Sequence, residues 1–152
     1  MGIDKDIHQN RFRNEHQRAS VNLVYTYGWF LEKIKEFLLP ADITMQQFNI
    51  LRILRGSHPA PLSTLQIRER MVDKMSDTSR IVDRLIAKGL VRKKTSGKDR
   101  RLVDVVITVK GRNLLKKLDL RQDELDGILK NISEEEASTL SKILDKIRST
   151  TN

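Results

Sequence analysis

The 152-residue chain has no cysteine. Disulfides, thiolate nucleophiles and thiol redox sensing are therefore excluded. Aromatic residues make up only 5% of the sequence and prolines number three, which favours an aliphatic core built mainly from helices. No apolar run approaches the length of a membrane span, and the N-terminus carries no apolar signal core. The expected location is cytoplasmic, with no membrane partner. His8, His16 and His58 lack metal-ligand spacing. No nucleophile–base pair or phosphate-cradling glycine loop is evident either, so neither enzymatic activity nor a cofactor or metal is expected.

Positive charge is in excess: the formal net charge is +9. Residues 70–101 hold eleven Lys or Arg against four Asp, seven of those nine charges. Clustered charge of one sign marks a polyanion partner more strongly than the total does. The remaining composition, 38% hydrophobic and 32% charged, is that of a folded domain.

Periodicity then orders the chain. After a polar first dozen residues, Val21, Val24, Tyr27, Leu31, Ile34 and Leu38 recur at helical spacing until Pro40 ends the run. Thr44 with Gln47, Ser63 with Gln66 and Ser133 with Glu136 have capping-box spacing, each opening a helix. Ser76 is read as the cap of a helix from Asp77 to about Lys88, with Gly89 as the residue that stops it. Leu90–Lys94 and Leu102–Ile107 are β-prone runs around a basic turn, and Thr108 caps the next helix. The expected order is α-α-α-α-β-β-α-α, a mainly helical winged helix-turn-helix. Residues 44–108 are expected to hold the winged part, flanked by the helices of 1–40 and 109–152.

A major groove about 12 Å wide admits one helix, whose short polar or Arg side chains read base edges. Ser76, Thr78, Ser79, Arg80 and Arg84 are the expected readers on the helix that follows Ser76. Lys98, Asp99, Arg100 and Arg101 form the hairpin tip, where Arg side chains suit a narrow minor groove and Asp99 can orient one of them. Lys93 and Lys94 are candidates for phosphate contacts. Tyr25, Trp29, Phe48 and Arg52 are weaker candidates for a ligand pocket. Leu140, Ile143, Leu144 and Ile147 stripe the last helix with nothing evident in one chain to cover them, so a homodimer is expected.

The run Ser79-Arg80-Ile81-Val82-Asp83-Arg84-Leu85-Ile86-Ala87-Lys88-Gly89-Leu90-Val91-Arg92 resembles the recognition helix and first wing strand of the MarR family of bacterial regulators. Asp99-Arg100-Arg101, followed by an alternating strand and Thr108-Val109-Lys110-Gly111, is similar to that family's wing and the start of its next helix. The resemblance implies a symmetric dimer that reads a pseudo-palindromic duplex operator and usually represses. It also implies release by a small aromatic effector, Arg101 in the minor groove, and Asp99 and Arg100 ordering the wing tip. The alternative is a nucleic-acid-binding architectural or interaction protein without sequence preference.

Overall fold

The computed structural model describes residues 2–95 and 103–149. A short helix, α1 (Ile3–Asp6), precedes the long α2 (Glu15–Leu38). After a 3-10 turn at Leu39–Ala41 come α3 (Met45–Ser57), the two-residue strand β1 (Leu62–Ser63), α4 (Thr64–Arg70) and α5 (Thr78–Ala87). The hairpin strands β2 (Val91–Thr95) and β3 (Val103–Ile107) follow, then α6 (Val109–Asp119), α7 (Gln122–Asp126) and α8 (Glu134–Arg148). The sheet is antiparallel in the order β1-β3-β2. No described helix is long and apolar enough to cross a membrane.

The local signals account for most boundaries. The three capping boxes form as their spacing predicts: Thr44, Ser63 and Ser133 each accept from the backbone N–H three residues on, and Gln47, Gln66 and Glu136 reach back. Each satisfies two otherwise orphaned helix donors. Three features lie beyond the expected order. The polar N-terminal arm contains α1, whose Ile3 is buried. Strand β1 pairs Leu62 with Val105 and Ser63 with Asp104, adding a third strand to the hairpin. Finally, α7 and a 3-10 turn at Gly127–Leu129 separate α6 from α8.

The core lies where α3, α4, α5, α6 and the sheet meet. Ile50, Leu51, Ile67, Leu85, Val105 and Leu115 are all inaccessible to solvent. Each such side chain contributes roughly 1.5–3 kcal/mol relative to an exposed one. This packing makes α4, α5 and the hairpin a single block.

The junction from α5 to the hairpin is tightly specified. Gly89 adopts φ +72°, a left-handed conformation that costs glycine nothing. Its N–H donates to the Ile86 carbonyl at 2.9 Å and the Leu90 N–H donates to the Leu85 carbonyl at 3.0 Å, a Schellman closure. Buried Leu85 and Leu90 supply the apolar contact that accompanies this closure. The Thr108 hydroxyl then donates to the Gly89 carbonyl at 2.7 Å and accepts from the Gly111 N–H at 3.1 Å. One side chain thus ties the end of α5 to the start of α6, across the foot of the hairpin.

Candidate nucleic-acid interface

Helix α4, the turn at 71–77 and α5 form the helix-turn-helix. The face of α5 that points away from the core carries Ser79, Arg80, Asp83 and Arg84, all exposed. The opposite face carries Thr78, Val82 and Leu85, all buried. Of the five expected readers, Ser79, Arg80 and Arg84 therefore share the free face.

The other two need correction. Ser76 is not the cap: Asp77 is the N-cap residue, and its carboxylate accepts from the Arg80 N–H at 3.3 Å. A carboxylate is favoured there because the helix N-terminus carries partial positive charge. Ser76 lies one residue too early, and its hydroxyl is buried without a hydrogen-bond partner. Thr78 is not an outward reader. It is 4% exposed, and its hydroxyl also lacks a partner. Its place in the i, i+4, i+7 stripe with Val82 and Leu85 dictates this; a hydroxyl on a small side chain does not override helical phase. Thr78→Val should accordingly leave duplex preference intact. It should raise stability by about 1 kcal/mol, because an unsatisfied buried hydroxyl costs roughly 1–3 kcal/mol. Thermal unfolding and competition binding check both outcomes; Ser79→Ala, on the free face, should change site preference instead.

The wing is built on β2 and β3, paired in register from Val91↔Ile107 to Thr95↔Val103. Strand side chains alternate between faces. Val91 is buried, so Lys93 projects from the same face of the sheet, toward α5. Its ammonium lies 2.9 Å from the Asp83 carboxylate. Arg92 and Lys94 project from the other face and are exposed. The tip residues Lys98, Asp99, Arg100 and Arg101 lie outside the described residues.

A cavity of about 740 Å³ opens between α2, α3, the α4–α5 turn and the α7–α8 segment. Phe48 and Arg52 of α3 line it, with the Arg52 guanidinium 5.5 Å from the Phe48 ring centre. Phe30, Ile34, Met71 and Leu125 supply apolar wall. The expected Tyr25 and Trp29 are not among its lining residues. Tyr25 instead lines a groove with Ile7, Ser20, Val21 and Val24, and both aromatics are largely exposed. Helical rotation of about 100° per residue separates them: Phe30 and Ile34 take the inward face of α2, and Trp29 and Tyr25 lie well round from it. Of the aromatic run Tyr25, Tyr27, Trp29 and Phe30, which is the candidate pocket cluster on this helix, Phe30 is the one that reaches the cavity. Its i, i+4, i+7 phase with Ile34 and Phe37 was the available signal.

The terminal helices carry apolar surface that the single chain does not cover. Helix α8 buries no residue. Leu140, Ile143 and Ile147 are exposed, and Leu144 is half-buried. Leu23, Val24 and Tyr27 on α2 are exposed as well. Among the described residues, no cluster of His, Cys, Asp or Glu is arranged to hold a metal ion.

Comparison with known proteins agrees with this architecture. A family model described as the MarR family matches residues 43–103. The multiple antibiotic resistance protein MarR of Escherichia coli K12 is 28% identical over 116 residues, covering 75% of this chain and 79% of the relative. The crystal structure of a mutant E. coli MarR complexed with operator DNA superposes with a TM-score of 0.80 at 25% identity, covering 92% of this chain and 100% of that one. A MarR transcription factor from Planctomyces limnophilus superposes with a TM-score of 0.68 at 31% identity, covering 89% of this chain and 98% of that one. With 31% identity over 98% of the Planctomyces limnophilus regulator and the family model matching the winged part, the chain belongs to the MarR family of DNA-binding transcription regulators.

Proposed function

We propose that this chain acts as a homodimer that recognises a pseudo-palindromic duplex operator in the cytoplasm and represses transcription until a small aromatic ligand releases it. The observation that carries the DNA reading is the free face of α5. Ser79, Arg80 and Arg84 stand together there, on a helix fixed at one end by the Asp77 cap and at the other by the Gly89 closure. Short polar and Arg groups in that arrangement suit base edges in a major groove. The wing would extend the contact, with exposed Lys94 meeting phosphate and Lys98, Asp99, Arg100 and Arg101, which lie outside the described residues, serving the neighbouring minor groove. Residues 44–108 would be the reading part, and 1–40 with 109–152 the dimerising part. The operator-bound E. coli MarR mutant supports the docking mode.

The dimer follows from α2 and α8, whose exposed apolar residues need a cover. A second copy covers them and sets two recognition helices about one DNA turn apart. The ligand reading rests on the cavity. Its size and apolar wall suit a small aromatic molecule, and Arg52 can pair with an acid group on it. Met71, Val72 and Asp73 line the same cavity and lead directly into α5, so an occupant bears on the helix that reads DNA.

Selection of duplexes from a random pool tests the reading. The expected result is one palindromic consensus, bound at least a thousandfold more tightly than scrambled DNA. Affinity should fall steeply with salt, with a log–log slope of about −0.9 per neutralised phosphate. Equal binding to all duplexes would instead establish the architectural alternative. Addition of aromatic acids should lower operator affinity, and Arg52→Ala should abolish that response.

A further inference from the structure

We infer that Lys93 is a positioning residue: it neutralises Asp83 on the DNA-reading face of α5 rather than contacting phosphate. This rests on the operator reading proposed above. Asp83 lies on the free face between Arg80 and Arg84 and is exposed, where an unpaired carboxylate would enter a polyanion's groove and be repelled. Only a cation that arrives with the protein removes that penalty. Lys93 is placed to do so by two independent constraints. The alternation of β2, fixed by buried Val91, turns Lys93 toward α5. The Leu85–Leu90 closure then brings β2 back along α5, so that the ammonium meets Asp83 at 2.9 Å.

The pair is solvent-accessible, with side chains 45% and 61% exposed. An exposed pair of this kind contributes little to folding. Its effect emerges when DNA displaces that solvent, since charges then interact through a lower dielectric. Lys94, on the opposite face of β2 and across from Asp104, makes no ion pair within 4 Å among the described residues and keeps the proposed phosphate role.

A charge cycle tests this on the full chain, using a duplex selected by the wild-type protein and a scrambled duplex of equal composition. Lys93→Met keeps the aliphatic stem and should weaken binding to the selected duplex about tenfold. Asp83→Asn with Lys93→Met should recover affinity to within about threefold of wild type. Lys93→Arg should behave as wild type. Asp83→Asn alone releases a lysine, and should tighten binding to the scrambled duplex and steepen its salt dependence. The inference is overturned if the double variant binds no better than Lys93→Met and its salt slope is shallower by about 0.9 per contact, the signature of a lost phosphate contact. It is also overturned if Asp83→Asn removes discrimination at one C·G pair, which would place the carboxylate on a cytosine amine. A wild-type protein that selects no sequence overturns the operator reading as well, and that failure appears before any variant is made.

Discussion

Replacing Ile143 and Ile147 together by arginine should convert the protein to a monomer and lower its affinity for a palindromic duplex by about a hundredfold or more. Both residues lie on α8, 51% and 63% exposed, one turn apart on a helix that buries nothing within its own chain. In a twofold interface each patch meets a copy of itself or its symmetry partner. Each dimer would then hold four new guanidinium groups in apolar surroundings without counter-charges, at a cost of several kcal/mol. Arginine is a good helix former and suits the C-terminal half of a helix, so α8 itself should persist. Circular dichroism should stay close to wild type while sedimentation shifts to the monomer mass. The substitutions add positive charge, which by itself would strengthen DNA binding. A fall in affinity therefore reports the lost second half-site, worth about 10²–10⁴ through effective concentration. A variant that stays dimeric would show that α8 is not at the interface. A monomer that keeps wild-type affinity would show that one recognition helix suffices.

What was legible in the sequence was mostly local. The capping boxes at Thr44, Ser63 and Ser133, the Gly89 stop and the Thr108 cap each depend on residues within one or two turns, and all appear in the structure. Strand β1 escaped because two residues carry no alternation; Leu62 and Ser63 are strand only because β3 lies beside them. Residue type puts Thr78 among the readers, whereas helical phase puts it in the core with Val82 and Leu85. The Asp77 cap escaped because Ser and Asp are both good caps, and only the turn geometry chooses between neighbours. The Asp83–Lys93 pair spans two elements, and its partners could be named only once the α5–β2 return was known. The cavity shows the same limit: Phe30, Phe48 and Arg52 are legible from single helices, while Met71 and Leu125 join them from elsewhere in the chain.

Substitution of Gly111 by alanine should be among the most damaging single-methyl changes in the molecule, lowering stability by roughly 3 kcal/mol. A Cβ at this position would lie 2.3 Å from the Leu90 carbonyl oxygen and 2.7 Å from Ile107 Cγ1. The first of these is backbone and cannot swing aside. Leu90 is held from both directions: its N–H closes the end of α5, and its carbonyl accepts from the Thr108 N–H at 3.1 Å. To admit the methyl group, α6 must draw away from the hairpin foot. That strains a packed core by about 1–3 kcal/mol and weakens the Thr108 hydrogen bonds, worth about 1 kcal/mol each. For a chain of this size the melting temperature should fall by roughly 6–12 °C. Gly56→Ala is the matched control. Gly56 is exposed in α3 with no heavy atom near its missing Cβ, so alanine should stabilise by up to about 1 kcal/mol through helix propensity. The two variants differ from wild type by the same methyl group and should shift the melting curve in opposite directions. If Gly111→Ala melts with wild type, the close approach of α6 to the α5–hairpin junction is wrong. The Thr108 tie that sets the wing's foot beside the recognition helix would then fall with it.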